Sequence, residues 1–286
     1  MKLSIRHRTT YRYARPVVLQ PHRMILRPRS SHDVAVLASS LVCSPDAQLD
    51  WTQDVFGNLI ATGTFAEPTS ELVITGNLTV EQFAEAWPVF RIAPEAHSFP
   101  FQYSRDDLAD LGALHIPEHD DFEGRLEGWA RAFVRGASTD TLSLLKDLNA
   151  GVLGPVSYRV RDEEGTQSPL ETLALASGSC RDIAALFIEA VRHLGFGARA
   201  VSGYLFDAEA RTDDPGSTHA WAEIYLPGAG WIAFDPTHRR LGGASLIPVA
   251  VARSNRQIMP IVGGFVGTPQ DFLAMEVEVS VTPSIG

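Results

Sequence analysis

A stripe of Ile183, Ala184, Phe187, Ile188, Val191 and Leu194 recurs at three- and four-residue intervals, which commits this stretch to a helix packed along one face on a core. Gly195 stops that helix, and Gly178-Ser179 supply a tight approach and an N-cap residue. Cys180 therefore sits in the first turn, beside backbone N–H groups that have no partner within the helix.

Two alternating runs follow. In His219-Ala220-Trp221-Ala222-Glu223-Ile224-Tyr225-Leu226 the larger polar and aromatic residues alternate with Ala, Ile and Leu, the period of a strand. His219 then shares a face with Trp221, Glu223 and Tyr225. Pro227-Gly228-Ala229-Gly230 turns the chain, and Trp231-Ile232-Ala233-Phe234-Asp235 alternates again, with Asp235 on the Trp231 face and Pro236 favouring an extended backbone before it. A hairpin of these strands brings Asp235 beside His219.

Thiol, imidazole and carboxylate in this order suit a cysteine triad. A free thiol ionises near about 8.5, and its nucleophilic form is favoured by an imidazolium and by the positive end of a helix. The same helix-end N–H groups can bind an oxyanion. A carboxylate fixes the imidazole tautomer and stabilises its charged form. Each residue alone has an ordinary explanation: a buried Cys, a hydrogen-bonded His, an Asp-Pro at a strand end. Their combination at a helix start and on consecutive strands points to Cys180, His219 and Asp235 as catalytic residues.

The quoted segments, with Ala198-Arg199-Ala200-Val201-Ser202-Gly203-Tyr204 and Phe234-Asp235-Pro236-Thr237, resemble the core of the bacterial transglutaminase-like proteins over roughly residues 155 to 245. The resemblance implies a papain-like fold with Cys180 as nucleophile, His219 as general base and acid, and Asp235 as the orienting carboxylate. His7-Arg8-Thr9-Thr10-Tyr11-Arg12-Tyr13, Pro16-Val17, Leu26-Arg27-Pro28-Arg29 and Asp54-Val55-Phe56-Gly57-Asn58 are similar to the region that precedes this core in such proteins. Relatives often carry an aromatic residue where Tyr158 stands, which implies a hydroxyl facing the developing oxyanion. The pattern departs at Arg253-Ser254-Asn255-Arg256-Gln257-Ile258-Met259-Pro260, where relatives tend to have an Arg-Asp-Tyr-like segment.

Around the expected site, Trp221 and Trp231 read either as walls of a hydrophobic slot or as core packing. Asp182 has two opposing effects: it suits a helix N-terminus, and a close negative charge opposes thiolate formation. Asp213-Asp214-Pro215 followed by Gly216-Ser217-Thr218 predicts a loop that delivers His219 and controls access.

At 286 residues, 45% hydrophobic and 20% charged, the chain is long enough for two domains with a large core. Leu3 to Tyr13, Val34 to Cys43, Trp51 to Phe65 and Glu71 to Phe83 alternate between turn residues, as in a β-sandwich. Trp87-Pro88, Ala93-Pro94 and Phe99-Pro100 read as an extended linker, and Asp106 to Leu114, Phe122 to Val134 and Thr141 to Val152 as helices. The expected class is α+β: an N-terminal antiparallel β-sandwich-like domain with linker over 1–100, a papain-like transglutaminase core over 101–250, and a C-terminal strand segment over 251–286. Met275, Val277, Val279 and Val281 would let that segment pair with the N-terminal sheet.

A net charge of −10 argues against a nucleic-acid partner, and the Arg-rich stretches of the first 29 residues read as exposed strand faces. No apolar run suits a membrane helix or a signal peptide, so a cytoplasmic protein with free thiols at Cys43 and Cys180 is expected, with no membrane partner. No metal and no cofactor are assigned. Pro117 interrupts the His115/His119 helical spacing, Asp120-Asp121 and Asp213-Asp214 lack calcium-loop spacing, and Gly263-Gly264-Phe265-Val266-Gly267 reads as a turn. The expected chemistry is acyl transfer through a thioester, from an amide or ester of a protein, peptide or small acyl substrate, to an amine or to water. The alternatives are a cysteine protease or amidase, and a non-enzymatic scaffold that keeps the fold.

Overall fold

The computed structural model describes residues 1–86, 88–161, 163–206 and 216–284. The N-terminal strands are β1 (Lys2–Leu19), β2 (His22–Arg27), β3 (Val34–Ser44), β4 (Ala47–Gln53), β5 (Leu59–Phe65) and β6 (Thr69–Gln82). Val17, Leu19, Met24, Leu26, Cys43, Ala61, Leu72 and Ile74 bury one another between two sheets of these strands, the arrangement alternation predicts. The run from Trp51 to Phe65 is two strands rather than one. Asp54 Oδ1 accepts from the backbone N–H of Phe56 and Asn58, and this side-chain-capped turn separates β4 from β5.

After the linker, of which Trp87 lies outside the described residues, β7 (Ser98–Phe99) pairs with β8 (Thr139–Asp140). The helices α1 (Arg105–Leu111), α2 (Arg125–Arg131) and α3 (Thr141–Gly151) are somewhat shorter than periodicity suggests, and a further helix, α4 (Pro169–Leu175), follows them. Gly124, at positive φ, holds α2 off until Arg125. The parallel bridge of β9 (Ser157–Tyr158) and β10 (Ser177–Gly178) leads into α5 (Cys180–His193), which ends before Gly195 at φ +90.

A second antiparallel sheet follows, built from β11 (Ala198–Leu205), β12 (Ser217–Leu226), β13 (Gly230–Asp235), β14 (Arg240–Leu241) and β15 (Leu246–Ala252), in the order β14-β13-β12-β11-β15. The stripe of α5 packs with Ala222, Ile224, Phe234 and Ala200 of this sheet in one core cluster. Buried among these apolar groups, Glu189 Oε1 accepts from Arg192 Nη1 at 2.8 Å, and the guanidinium also donates to the carbonyls of Leu114, Ala198 and Arg253. Every arm of that charge finds an acceptor, as burial demands.

The chain then returns to the N-terminal sheets. β16 (Ile261–Val262) pairs with β2, while β17 (Phe265–Val266) and β18 (Phe272–Pro283) pair antiparallel with β1. Leu3, Ile5, Val34, Val80 and Val281 belong to the same cluster as α5, so the N-terminal sheet and the second sheet share a core. Polar ties cross the joint as well. His7 Nδ1 lies 3.2 Å from the Tyr204 hydroxyl, and Gln82 Nε2 donates to the carbonyls of Gly243 and Leu246, each at 2.8 Å.

Candidate active site

Cys180 is the first residue of α5, behind the N-cap Ser179, whose backbone is extended at φ −80 and ψ 175. Asp182 reaches back from the third helical position: its Oδ2 accepts from Ser179 N at 2.8 Å and Ser179 Oγ at 2.7 Å, and its Oδ1 accepts from Gln167 N at 2.7 Å. Arg161 Nη1 lies 2.9 Å from Oδ2. The two opposing effects expected of Asp182 are thereby resolved, because its charge is matched by Arg161 and its lone pairs are committed to the turn. Gly178 is required for this approach, since a Cβ there would stand 2.8 Å from that of Asp182.

Arg181 turns away from the thiol. Its guanidinium donates to the carbonyls of Gly165 and Glu163, and its own carbonyl accepts from Asn255 Nδ2 at 2.7 Å. The divergent segment 253–260 thus braces the start of the cysteine helix, with Asn255–Ile258 forming a short 3₁₀ turn.

β12 and β13 deliver the other two residues. Ala222 pairs with Phe234, so the hairpin register sets Asp235 diagonally beside His219 on the same face. His219 Nε2 lies 2.9 Å from Asp235 Oδ2, and Cys180 stands near enough to the imidazole to raise its proton affinity. With Nε2 engaged by Asp235, Nδ1 is the ring nitrogen left for the thiol. The structure therefore brings Cys180, His219 and Asp235 together.

The electrostatics follow from these bonds. Burial by itself lowers the proton affinity of His219, but the hydrogen bond to Asp235, the neighbouring Cys180 side chain and the negative charge of Asp235 outweigh it and raise its pKa to about 9. Asp235 is held well below the usual carboxylate range: burial works against this, and hydrogen bonds from His219 and His238 overcome it.

His238 is a residue that sequence reasoning missed. Its Nδ1 lies 2.8 Å from the same Asp235 Oδ2, while Asp235 Oδ1 accepts the backbone N–H of Thr237 at 3.0 Å and of His238 at 3.2 Å. The signal was the Asp-Pro-Thr-His order, since an Asp that bonds the N–H groups two and three residues on folds the chain back over itself. Donor atoms of His219, Asp235 and His238 lie within 4.8 Å of one another, close enough for a metal ion, but hydrogen bonds among the three already account for that proximity.

Tyr158, paired with Gly178 across the β9–β10 bridge, is 52% exposed; burial and then the neighbouring Cys180 push its hydroxyl above its ordinary range. Trp221 is 1% exposed and stacks on His219 with 24° between the rings, so it offers a substrate almost no surface. Trp221 packs with Val201 and Leu246 behind the imidazole. Gly203, opposite His219, makes room for it, because a Cβ would collide with the Ile247 carbonyl and the Trp221 ring. Trp231 instead carries the Arg199 guanidinium 4.1 Å over its ring. The expected loop before His219 is shorter than foreseen: Ser217 and Thr218 already belong to β12, and residues 213–215 lie outside the described residues.

Comparison with known proteins agrees with this architecture. The model of the bacterial transglutaminase-like N-terminal region matches residues 3–81, and that of the transglutaminase-like superfamily matches residues 127–236. Uncharacterized proteins of Mycobacterium tuberculosis and Mycobacterium leprae are 27% and 24% identical; the first alignment spans 100% of this chain and 94% of the relative, the second 98% of each. A solved structure from Cytophaga hutchinsonii, provisionally described as a cysteine protease, has the same fold, with a TM-score of 0.76 at 20% identity over 99% of this chain and 91% of that one. With an N-terminal β region and a cysteine-helix core each matched in its expected place, the chain combines a bacterial transglutaminase-like N-terminal region with a transglutaminase-like superfamily core.

Proposed function

We propose that this protein is a cysteine enzyme that transfers acyl groups through a thioester on Cys180. One observation carries the reading: a single imidazole, His219, is hydrogen-bonded to a buried carboxylate, Asp235, and stands near enough to the Cys180 side chain for the two to influence each other's protons. An imidazolium beside a thiol at a helix N-terminus is the arrangement that favours a sulfur nucleophile.

The sulfur attacks the carbonyl carbon of an amide or ester, forming the C–S bond, and the oxyanion meets the unpaired N–H groups at the start of α5. His219 gives its proton to the leaving amine or alcohol as that bond breaks. The acceptor, amine or water, then passes a proton back to His219 and takes the acyl carbon, and the C–S bond breaks to release the thiolate beside the imidazolium. Asp235 keeps the imidazole in the tautomer that serves both steps. Tyr158, exposed beside Cys180, is the side chain we assign to contact the substrate. The substrate class is a protein, peptide or small acyl compound. With an amine as acceptor the protein is a transglutaminase-like acyltransferase, with water a peptidase or amidase.

The test is acylation by a 4-nitrophenyl ester followed by peptide mass mapping, with buried Cys43 as internal control. An acyl group on Cys180 that requires His219 supports the reading, and its faster discharge with added amine identifies a transferase. Absence of acyl-Cys180, or equal labelling in His219→Ala, overturns the reading in favour of a scaffold.

A further inference from the structure

The Asp235 carboxylate serves two imidazoles through one oxygen. Oδ2 lies 2.9 Å from His219 Nε2 and 2.8 Å from His238 Nδ1, and the rings meet edge to face with centroids 5.0 Å apart. Oδ1 is committed to the backbone N–H groups of Thr237 and His238. An ionised carboxylate only accepts, so both ring nitrogens that face Oδ2 carry their protons. His238 thus competes with His219 for the same lone-pair density.

We propose that His238 is a positioning residue: by donating to Asp235 Oδ2 it locks the carboxylate against His219 and tempers the pull of that carboxylate on the His219 proton. This rests on the reading of Cys180 and His219 as a reacting pair. Among the described residues, three titratable or charged neighbours adjoin the coupled groups. Cys180 from α5 stands near His219, Tyr158 from β9 feels Cys180, and Arg240 of β14 pairs through its backbone with Asp235 and directs Nη1 to Ser245 Oγ at 3.5 Å. His238 is the side chain among these that bonds Asp235 itself, and at 33% exposure it is reachable from solvent. With its donor removed, Oδ2 keeps a single N–H partner and the negative charge it offers His219 is less divided. His219 then holds its proton to higher pH.

The experiment is the pH profile of Cys180 alkylation by iodoacetamide, followed by peptide mass mapping in the full chain. The variants are His238→Phe, which removes the donor and keeps a ring, and His238→Asn, whose amide N–H stands close to where Nδ1 stood. Circular dichroism establishes that each is folded, and His238→Asn is the milder change should the Phe variant fail to fold. In the wild type a late rise in rate marks loss of the His219 proton. The inference expects that rise to move up by about half a pH unit or more in His238→Phe, the equivalent of one modest hydrogen bond, and to stay near its wild-type position in His238→Asn. An unmoved or lowered inflection in His238→Phe, with a wild-type profile that does depend on His219, overturns the role of His238 alone. Identical profiles in the wild type and His219→Ala overturn the triad itself.

Discussion

Asn58 grips Val251 with both ends of its amide: Nδ2 donates to the Val251 carbonyl at 2.7 Å and Oδ1 accepts the Val251 N–H at 2.9 Å. The amide thereby acts as a substitute strand partner for β15 and fastens the β4–β5 turn to the sheet that carries His219. Asn58→Ala leaves two backbone groups of a largely covered strand without partners and should destabilise the protein by about 2–4 kcal/mol in urea. Asn58→Asp should be no better, because it sets a carboxylate oxygen against the Val251 carbonyl. An unchanged urea midpoint in both variants would show that the clamp contributes nothing.

The His7–Tyr204 contact makes the joint between the two sheets sensitive to acid. His7 is buried between the Tyr204 hydroxyl and Thr9 Oγ1, and burial lowers its pKa to about 4. The unfolded chain takes up this proton below about 6.5, whereas the folded chain refuses it until about 4. The contribution is complete above the unfolded value and is lost as pH falls between the two, on the order of 3 kcal/mol in all. His219, whose pKa is raised, acts in the opposite window and loses its contribution as pH climbs towards about 9. Urea midpoints at pH 7, 5.5 and 4 should fall more steeply for the wild type than for His7→Gln; equal slopes would exclude His7 as the source.

Asp182 is expected to be the costliest single side chain to remove near the cysteine. It accepts from Ser179 N, Ser179 Oγ and Gln167 N and pairs with Arg161, and the carboxylate itself is fully buried. Asp182→Ala strands these donors and leaves the Arg161 charge without its partner, a loss of about 3–5 kcal/mol. Arg161→Ala should approach the same figure from the other side. A double mutant no worse than either single would confirm one network, and full additivity in a denaturation series would refute it.

Legibility in the sequence followed the range of the interactions. The stripe from Ile183 to Leu194 and the alternation on either side of Pro227–Gly230 are local patterns, and α5, β12 and β13 formed where they lay. Glu189 and Arg192 interrupt that stripe with charges three apart, the spacing of a solvated face, yet both are buried. Their acceptors and donors come from Leu114, Glu118, His119, Ala198 and Arg253, and no local pattern reveals such distant neighbours. Trp221 sits on the His219 face as alternation requires, but whether that face was open or covered depended on Leu246 and Val201 of neighbouring strands. His238 follows a strand-ending Asp-Pro, where pattern arguments stop, and its place is set by the Asp235 turn.

Replacing Asp235 distinguishes a carboxylate that acts through His219 from a mere strand-end residue. Its Oδ2 faces two imidazole N–H groups and its Oδ1 faces two backbone N–H groups, so all four neighbours are donors. An Asn has one accepting oxygen. In either orientation of Asp235→Asn the amide NH₂ points at two donors, and the charge that stabilises the His219 imidazolium is gone. His219 should then lose its proton at lower pH, and acylation of Cys180 should slow by about 10²–10⁴-fold while the fold persists. The measurement is the rate of acyl-enzyme formation from a 4-nitrophenyl ester, beside Cys180→Ala as the blank. Because the backbone N–H groups of Thr237 and His238 would still favour an oxygen, the predicted orientation sets the amide N–H against both rings. That arrangement drives His219 towards its other tautomer, with the proton on the nitrogen that faces sulfur. An Asp235→Asn variant that acylates at the wild-type rate would make Asp235 a structural turn residue and leave Cys180 and His219 as a dyad.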